Sequence, residues 1–176
     1  MRRLTDADRI RQLMQMLGAE ADRPAHVYFT EGATAVLVGW RPTTIDVDMR
    51  IIPEVEKLLR MIPQIKEQLQ MNIGLACPAD FIPELPGWEE RSLSIGREGQ
   101  VDFFHYDPYA QALAKIERGH RQDLEDIRAM MDRGLVDPKT IRRFFDEIDP
   151  LLYRYPAIHP PSFRKAVEEA LGSRPA

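Results

Sequence analysis

Behind Thr5-Asp6-Ala7-Asp8, which offers a side-chain cap and early negative charge, Ile10, Leu13, Met14 and Leu17 recur at helical spacing. This pattern predicts an amphipathic helix of about three turns. After Pro24 the run His26-Val27-Tyr28-Phe29-Thr30 is rich in β-formers and reads as a strand. Glu31-Gly32-Ala33-Thr34 reads as the turn out of it, with Ala33 to Val38 forming a short buried helix whose N-terminus sits at Gly32. Ile45-Asp46-Val47-Asp48-Met49-Arg50-Ile51 alternates apolar with charged, the period of a strand covered on one face. Ile45, Val47, Met49 and Ile51 are expected inward, and Asp46, Asp48 and Arg50 on the other side. A helix is expected from Pro53 to Leu69, with Val55, Leu58, Leu59, Ile62, Ile65 and Leu69 as its stripe and Pro63 kinking or dividing it.

Residues 72–90 mix Pro78, Pro83, Pro86, Gly74 and Gly87 with Phe81, Ile82, Leu85 and Trp88, the composition of an ordered loop that packs on something. Arg91 to Ile95 and Gln100 to Tyr106 read as two strands joined through Gly96-Arg97-Glu98-Gly99. From Asp107 onward the strand signal stops. Tyr109 to Arg118, Gln122 to Arg133, Pro138 to Ile148 and Ser162 to Leu171 carry helical patterns. Strands and helices mixed first, with helices alone last, predict an α+β fold. Its core spans residues 1–106 and its helical C-terminal lobe, packed on the core, residues 107–176.

Composition narrows the class. A chain of 176 residues can bury a real core. With 24 basic and 28 acidic side chains its formal net charge is −4, which argues against coating nucleic acid or anionic membrane by bulk electrostatics. Cys77 is the sole cysteine, so no intrachain disulfide forms and a reducing compartment fits. No apolar stretch approaches the roughly 20 residues of a membrane span, and the basic start runs into acidic residues where a signal peptide needs an apolar run. The expectation is a cytoplasmic protein without a membrane partner.

Chemistry concentrates at Asp46 and Asp48. Residues i and i+2 of a strand put both carboxylates on one side, about 7 Å apart along the backbone. Two like charges on a poor strand residue repel, and a divalent cation offsets that cost. The same pair also suits a solvated strand face with Arg50 as counter-ion. Upstream, Gly32 lies at a strand-to-helix turn where missing side-chain bulk would let phosphate approach backbone N–H groups. Downstream, Asp102 sits between Val101 and Phe103 in a second strand. If the strands are neighbours it would serve as a third ligand, or as the base for an attacking hydroxyl.

Gly32-Ala33, then Asp46-Val47-Asp48, then Val101-Asp102-Phe103 resembles the signature of the polymerase-β-like nucleotidyltransferase superfamily. The segment from Asp107 to Ile127, with its Lys-then-Asp pattern, is similar to small bacterial nucleotidyltransferases related to abortive-infection toxins. The resemblance implies that Asp46, Asp48 and Asp102 hold Mg²⁺ or Mn²⁺, and that Gly32, Ala33 and Thr34 lie against the phosphates of an NTP. It further implies that Lys115 reaches the triphosphate as a point charge, that Arg121 joins the nucleotide-binding set, and that Asp123 and Asp126 orient Lys115 or Arg121. The implied reaction moves NMP to an RNA or protein hydroxyl, with toxin-like activity and an antitoxin-like partner. Position 33 departs from the pattern: Ala stands where many active members have Ser or a second Gly, unless the Thr34 hydroxyl substitutes. That departure motivates a first alternative, a catalytically degenerate member acting as a binding or regulatory protein. A second is a sugar-nucleotide transferase using Asp-x-Asp to hold a diphosphate through a metal.

The histidines His26, His105, His120 and His159 lack a metal spacing, so zinc is not expected. His105 reads as a structural residue, and Cys77 has no basic neighbour in sequence to activate it.

Overall fold

The computed structural model describes residues 3–172, which form two compact units. One comprises the chain through Cys77 together with Ser92–Tyr106; the other comprises Pro78–Arg91 and the residues from Asp107 on. The helical unit therefore takes in a segment that precedes the last two strands.

The first unit is built on a five-stranded sheet of order β3-β2-β1-β5-β4. Its strands are β1 (Ala25–Thr30), β2 (Asp46–Ile52), β3 (Asn72–Gly74), β4 (Leu93–Glu98) and β5 (Val101–His105). β1 runs antiparallel to β2 and parallel to β5, β2 runs parallel to β3, and β4 and β5 form a hairpin. The helices α1 (Ala7–Glu20), α2 (Glu31–Val38) and α3 (Glu56–Leu69) belong to the same unit. Asp6 caps α1 by accepting from the Arg9 N–H. Ile10, Leu13 and Leu17 of α1, with Leu58, Ile62 and Ile65 of α3, join Val27, Phe29, Val47, Met49, Ile51, Val101 and Phe103 in one apolar core. Alternation along the strands thus sends one set of side chains into the core and leaves His26, Tyr28, Thr30, Asp48, Arg50, Asp102 and Phe104 on the opposite face.

Three expectations change. β2 begins at Asp46, and Ile45, expected inward, is 64% exposed. Pro63 lies inside α3 without dividing it, because the buried stripe on either side holds both halves against the core. No turn separates β1 from α2: the strand passes straight into the helix through Glu31, whose φ of +56° is in the left-handed region.

The second unit contains α4 (Trp88–Arg91), α5 (Pro108–Arg118), α6 (Arg121–Asp132), α7 (Pro138–Ile148) and α8 (Pro160–Leu171), with 3₁₀ turns at Pro78–Asp80 and Asp149–Arg154. Ile82, Leu85 and Trp88 of the proline-rich segment are buried, whereas Phe81 is exposed. That segment is tied to the helices by polar contacts. Arg91 Nε and Nη2 donate to Asp107 Oδ2 at 3.1 and 2.8 Å, and the Tyr155 hydroxyl donates to the Ala79 carbonyl at 3.1 Å. Burial raises the Asp107 pKa, with Arg91 pulling against it. Asp107 also caps α5 through the Tyr109 N–H. No helix among the described residues is long and apolar enough to cross a membrane.

Candidate active site

The acidic pair stands at the start of β2, and two glycines make its surroundings. Asp46 pairs with Asn72, and Asp48 pairs with Gly74, across the parallel β2–β3 contact. A Cβ at Gly74 would lie 2.3 Å from Asp48 Oδ1, so the missing side chain is the space that the Asp48 carboxylate occupies. A Cβ at Gly32 would lie 2.0 Å from Thr44 Oγ1. Gly32 therefore admits Thr44, whose hydroxyl donates to the Asp46 carbonyl at 3.0 Å and whose backbone bonds Thr5 in both directions. The missing bulk of Gly32 is filled by Thr44 and fixes the entry into β2, while the positive φ at this corner belongs to Glu31.

Ala33 and Thr34 are buried in α2. The Thr34 hydroxyl is held inside the fold. It donates to the Phe29 carbonyl at 3.4 Å and lies 3.1 Å from His105 Nδ1. Burial pushes the His105 pKa down to about 4, so the imidazole is neutral at pH 7 and serves as an internal hydrogen-bond partner.

Register separates Asp102 from the pair. Asp48 stands opposite Thr30 on β1, whereas Asp102 stands beside His26, four residues back along the same strand. That is about 13 Å along the strand direction, with β1 lying between the two carboxylates. Tyr106, whose N–H donates to the Phe29 carbonyl at 2.7 Å, follows β5 near the Asp48 end of the sheet. Asp102 instead faces His26 Nε2 and Arg97 Nε, each at 3.7 Å. It is a third acid on the correct sheet face at the wrong end. Among the described residues no three His, Cys, Asp or Glu side chains are grouped to hold a metal ion.

The Lys-then-Asp helical segment makes a closed cluster. Lys115 is 1% exposed, and its Nζ lies 3.0 Å from Asp126 Oδ2 and 3.8 Å from Asp123 Oδ1. Asp126 also accepts from Gln122 at 3.2 Å, and Asp123 is forked by Arg118, with Nε at 2.8 Å. Burial pushes the Asp123 carboxyl up, but the Arg118 hydrogen bonds and charge, the Lys115 charge and the His120 N–H outweigh it and hold the carboxyl below its usual range. Lys115 is thus an internal counter-ion of these two carboxylates. Asp123 and Asp126 both face Lys115, and Asp123 also engages Arg118. Arg121, 95% exposed, pairs only loosely with Glu125 at 3.5 Å.

Two features had little signal in the sequence. Gly74 falls in a stretch that reads as loop, so its place beside Asp48 emerges only from the β2–β3 pairing. Thr30 reads as an ordinary strand end. It occupies the N-cap position of α2, yet its side chain makes no capping bond. Its Oγ1 is buried without any hydrogen-bond partner.

The residues at this corner suit a hard divalent cation in donor chemistry: two carboxylates on one face, one seated in a glycine-made recess, beside an unpartnered hydroxyl. Comparison with known proteins agrees on the fold. The solved structure of an antigenic nucleotidyltransferase-like protein from Paracoccidioides brasiliensis matches with a TM-score of 0.50 at 14% identity, covering 98% of this chain and 97% of that one. No curated protein matches. A family model described as nucleotidyltransferase of unknown function (DUF6036) matches residues 5–157. The chain belongs to that nucleotidyltransferase family.

Proposed function

We propose that the protein is a divalent-cation-dependent nucleotidyltransferase that moves NMP from an NTP to a hydroxyl on an RNA or protein acceptor. The observation that carries this reading is the Asp46–Asp48 pair, on one face of β2, with the Asp48 carboxylate seated where Gly74 has no side chain. Asp46 and Asp48 would hold Mg²⁺ or Mn²⁺, which when bound supplies positive charge against the phosphates. The protein's own part is positional. Thr44 pins the Asp46 backbone, and the sheet pairing of Asp48 with Thr30 and Gly74 fixes its carboxylate. In the reaction the acceptor oxygen forms a bond to the α-phosphorus, the bond to the bridging oxygen of the β-phosphate breaks, and pyrophosphate leaves. The acceptor proton passes to solvent, since Asp102 is too distant to take it.

A second reading keeps the fold without the reaction. Glu31 supports it, because its acidic side chain stands at the N-terminus of α2, the place where a phosphate would seek backbone N–H groups. In that case the protein binds a partner and no NTP.

Transfer from labelled NTPs with Mg²⁺, using cellular RNA and protein as acceptors, tests the first reading. Wild type should label an acceptor while Asp46→Asn and Asp48→Asn lose the activity by at least a hundredfold. Equal behaviour of wild type and variants would reject it, and calorimetry showing no NTP–Mg²⁺ binding would favour the regulatory reading. Growth arrest by wild type but not Asp48→Asn would extend the proposal to a toxin-like role.

A further inference from the structure

The expected third carboxylate is at the far end of the sheet, so a cation between Asp46 and Asp48 needs another oxygen donor from nearby. The geometry points to Thr30 Oγ1 as that donor, acting directly or through one bound water. This inference rests on the cation-site reading above and names a ligand that the acidic motif does not include.

Three observations converge on it. First, Thr30 and Asp48 are directly opposed on antiparallel strands, which puts their side chains on the same face with Cβ atoms about 5 Å apart. The next position across the sheet from Asp48 on its other side is Gly74, which offers no side chain. Thr30 is therefore the side-chain donor that the sheet places beside this carboxylate. Second, Thr30 is 0% exposed, yet its hydroxyl has no hydrogen-bond partner. Buried hydroxyls nearly always find one, and leaving one unmade is costly. Third, the hydroxyl does not make the bond usual at its position. A threonine at an N-cap commonly accepts from the N–H of the second or third helical residue, but this one does not. The hydroxyl makes no bond within the fold and lies on the sheet face that carries the acidic pair.

A hard divalent cation accepts neutral hydroxyl oxygens alongside carboxylates and water. Two carboxylates and a hydroxyl leave the remaining positions of an octahedral ion to water and phosphate oxygens. The grouping contains only two acids, which agrees with the absence of a three-acid cluster among the described residues. Glu31 adjoins Thr30 in sequence without completing such a cluster.

The test is Mn²⁺ binding to the intact protein, read by electron paramagnetic resonance and by calorimetry with Mg²⁺, with and without a non-hydrolysable NTP. Wild type should bind one ion. Thr30→Val, which removes the hydroxyl and keeps the shape, should weaken the ion by at least tenfold, while Thr30→Ser should retain affinity within about threefold. Without metal, Thr30→Val should melt no lower than wild type, because the hydroxyl it removes makes no bond in the fold. Thr30→Val binding Mn²⁺ as well as wild type does would overturn the inference, as would a Thr30→Val protein that melts well below wild type in the absence of metal. An absence of Mn²⁺ binding by wild type, with or without nucleotide, would overturn the cation site itself. Loss of NMP transfer with intact Thr30-dependent Mn²⁺ binding would reject only the proposed reaction.

Discussion

Two groups of acids in this molecule have opposite characters. In the helical unit Asp123 and Asp126 are buried, and each is matched: Lys115 and Gln122 engage Asp126, while Arg118 and Lys115 engage Asp123. At the sheet corner Asp46 and Asp48 stand beside a buried hydroxyl with no partner. The first group uses charge to hold two helices together, and its chemistry is complete within the fold. The second includes a hydroxyl that the fold leaves unbonded. Acidic residues in a motif say little about ligand binding until their counter-charges are found, because an acid already neutralised by a buried lysine has nothing left to offer a cation.

The comparison breaks most readily at Lys115. Lys115→Met would leave the buried Asp126 carboxylate without its ammonium partner, and removing one partner of a buried pair costs about 3–5 kcal/mol. Thermal or denaturant unfolding should register that loss, and Lys115→Met combined with Asp126→Leu should recover most of it. Mn²⁺ binding by protein that remains folded should be unchanged. A Lys115→Met protein of wild-type stability with tenfold weaker nucleotide binding would instead return Lys115 to the ligand and erase the contrast between the two groups.

His105 sharpens the comparison from within the sheet, as a buried polar residue whose partner, Thr34, is in place. Its folded pKa of about 4 lies below the unfolded value of 6.5. Between those values the unfolded chain holds the extra proton, so acidification favours unfolding. The His105 contribution is full above about pH 6.5 and is lost as pH falls toward 4, amounting to about 3 kcal/mol over that window. Stability measured from pH 7.5 to 4.5 should fall accordingly, and His105→Asn should flatten that part of the curve. An unchanged curve in the variant would show that the imidazole is not the group responsible.

The fold was largely legible because its elements carry strong local patterns. The helices α1, α5 and α7 announce themselves through apolar spacing and Asp or Pro starts, α6 through apolar spacing after Gly119, and β2 through strict alternation. Long-range pairing was not legible in the same way. Asp102 lies on the same sheet face as Asp48, as alternation implies, but its height along the sheet depends on the parallel register with β1, which no local pattern encodes. The sequence could not show that Lys115 is enclosed, since an i to i+11 contact across two helices looks the same as two solvated charges. Gly32 is conspicuous as a residue type, but its close contact with Thr44 has no signal in the sequence. A glycine signals either positive φ or close approach, and here Glu31 takes the first and Gly32 the second.

Gly74 permits the mildest and most selective test of the contrast. An added methyl there would lie 2.3 Å from Asp48 Oδ1 and 3.6 Å from its Cγ, and it meets no other group within 4 Å. The atom in conflict is the end of a side chain, so Gly74→Ala should rotate the carboxylate away without disturbing the β2–β3 pairing. The φ of Gly74 is not positive, which leaves the alanine backbone unstrained. Stability should therefore shift by less than about 1 kcal/mol, within the range of ordinary substitutions. Mn²⁺ affinity should fall about tenfold, equivalent to about 1.4 kcal/mol. The matching change in the helical unit, Gln122→Ala, should alter stability without touching Mn²⁺ affinity, because Gln122 serves only the closed cluster. If Gly74→Ala binds Mn²⁺ like wild type, the recess beside Asp48 is packing alone, and the contrast between the two acid groups no longer rests on it.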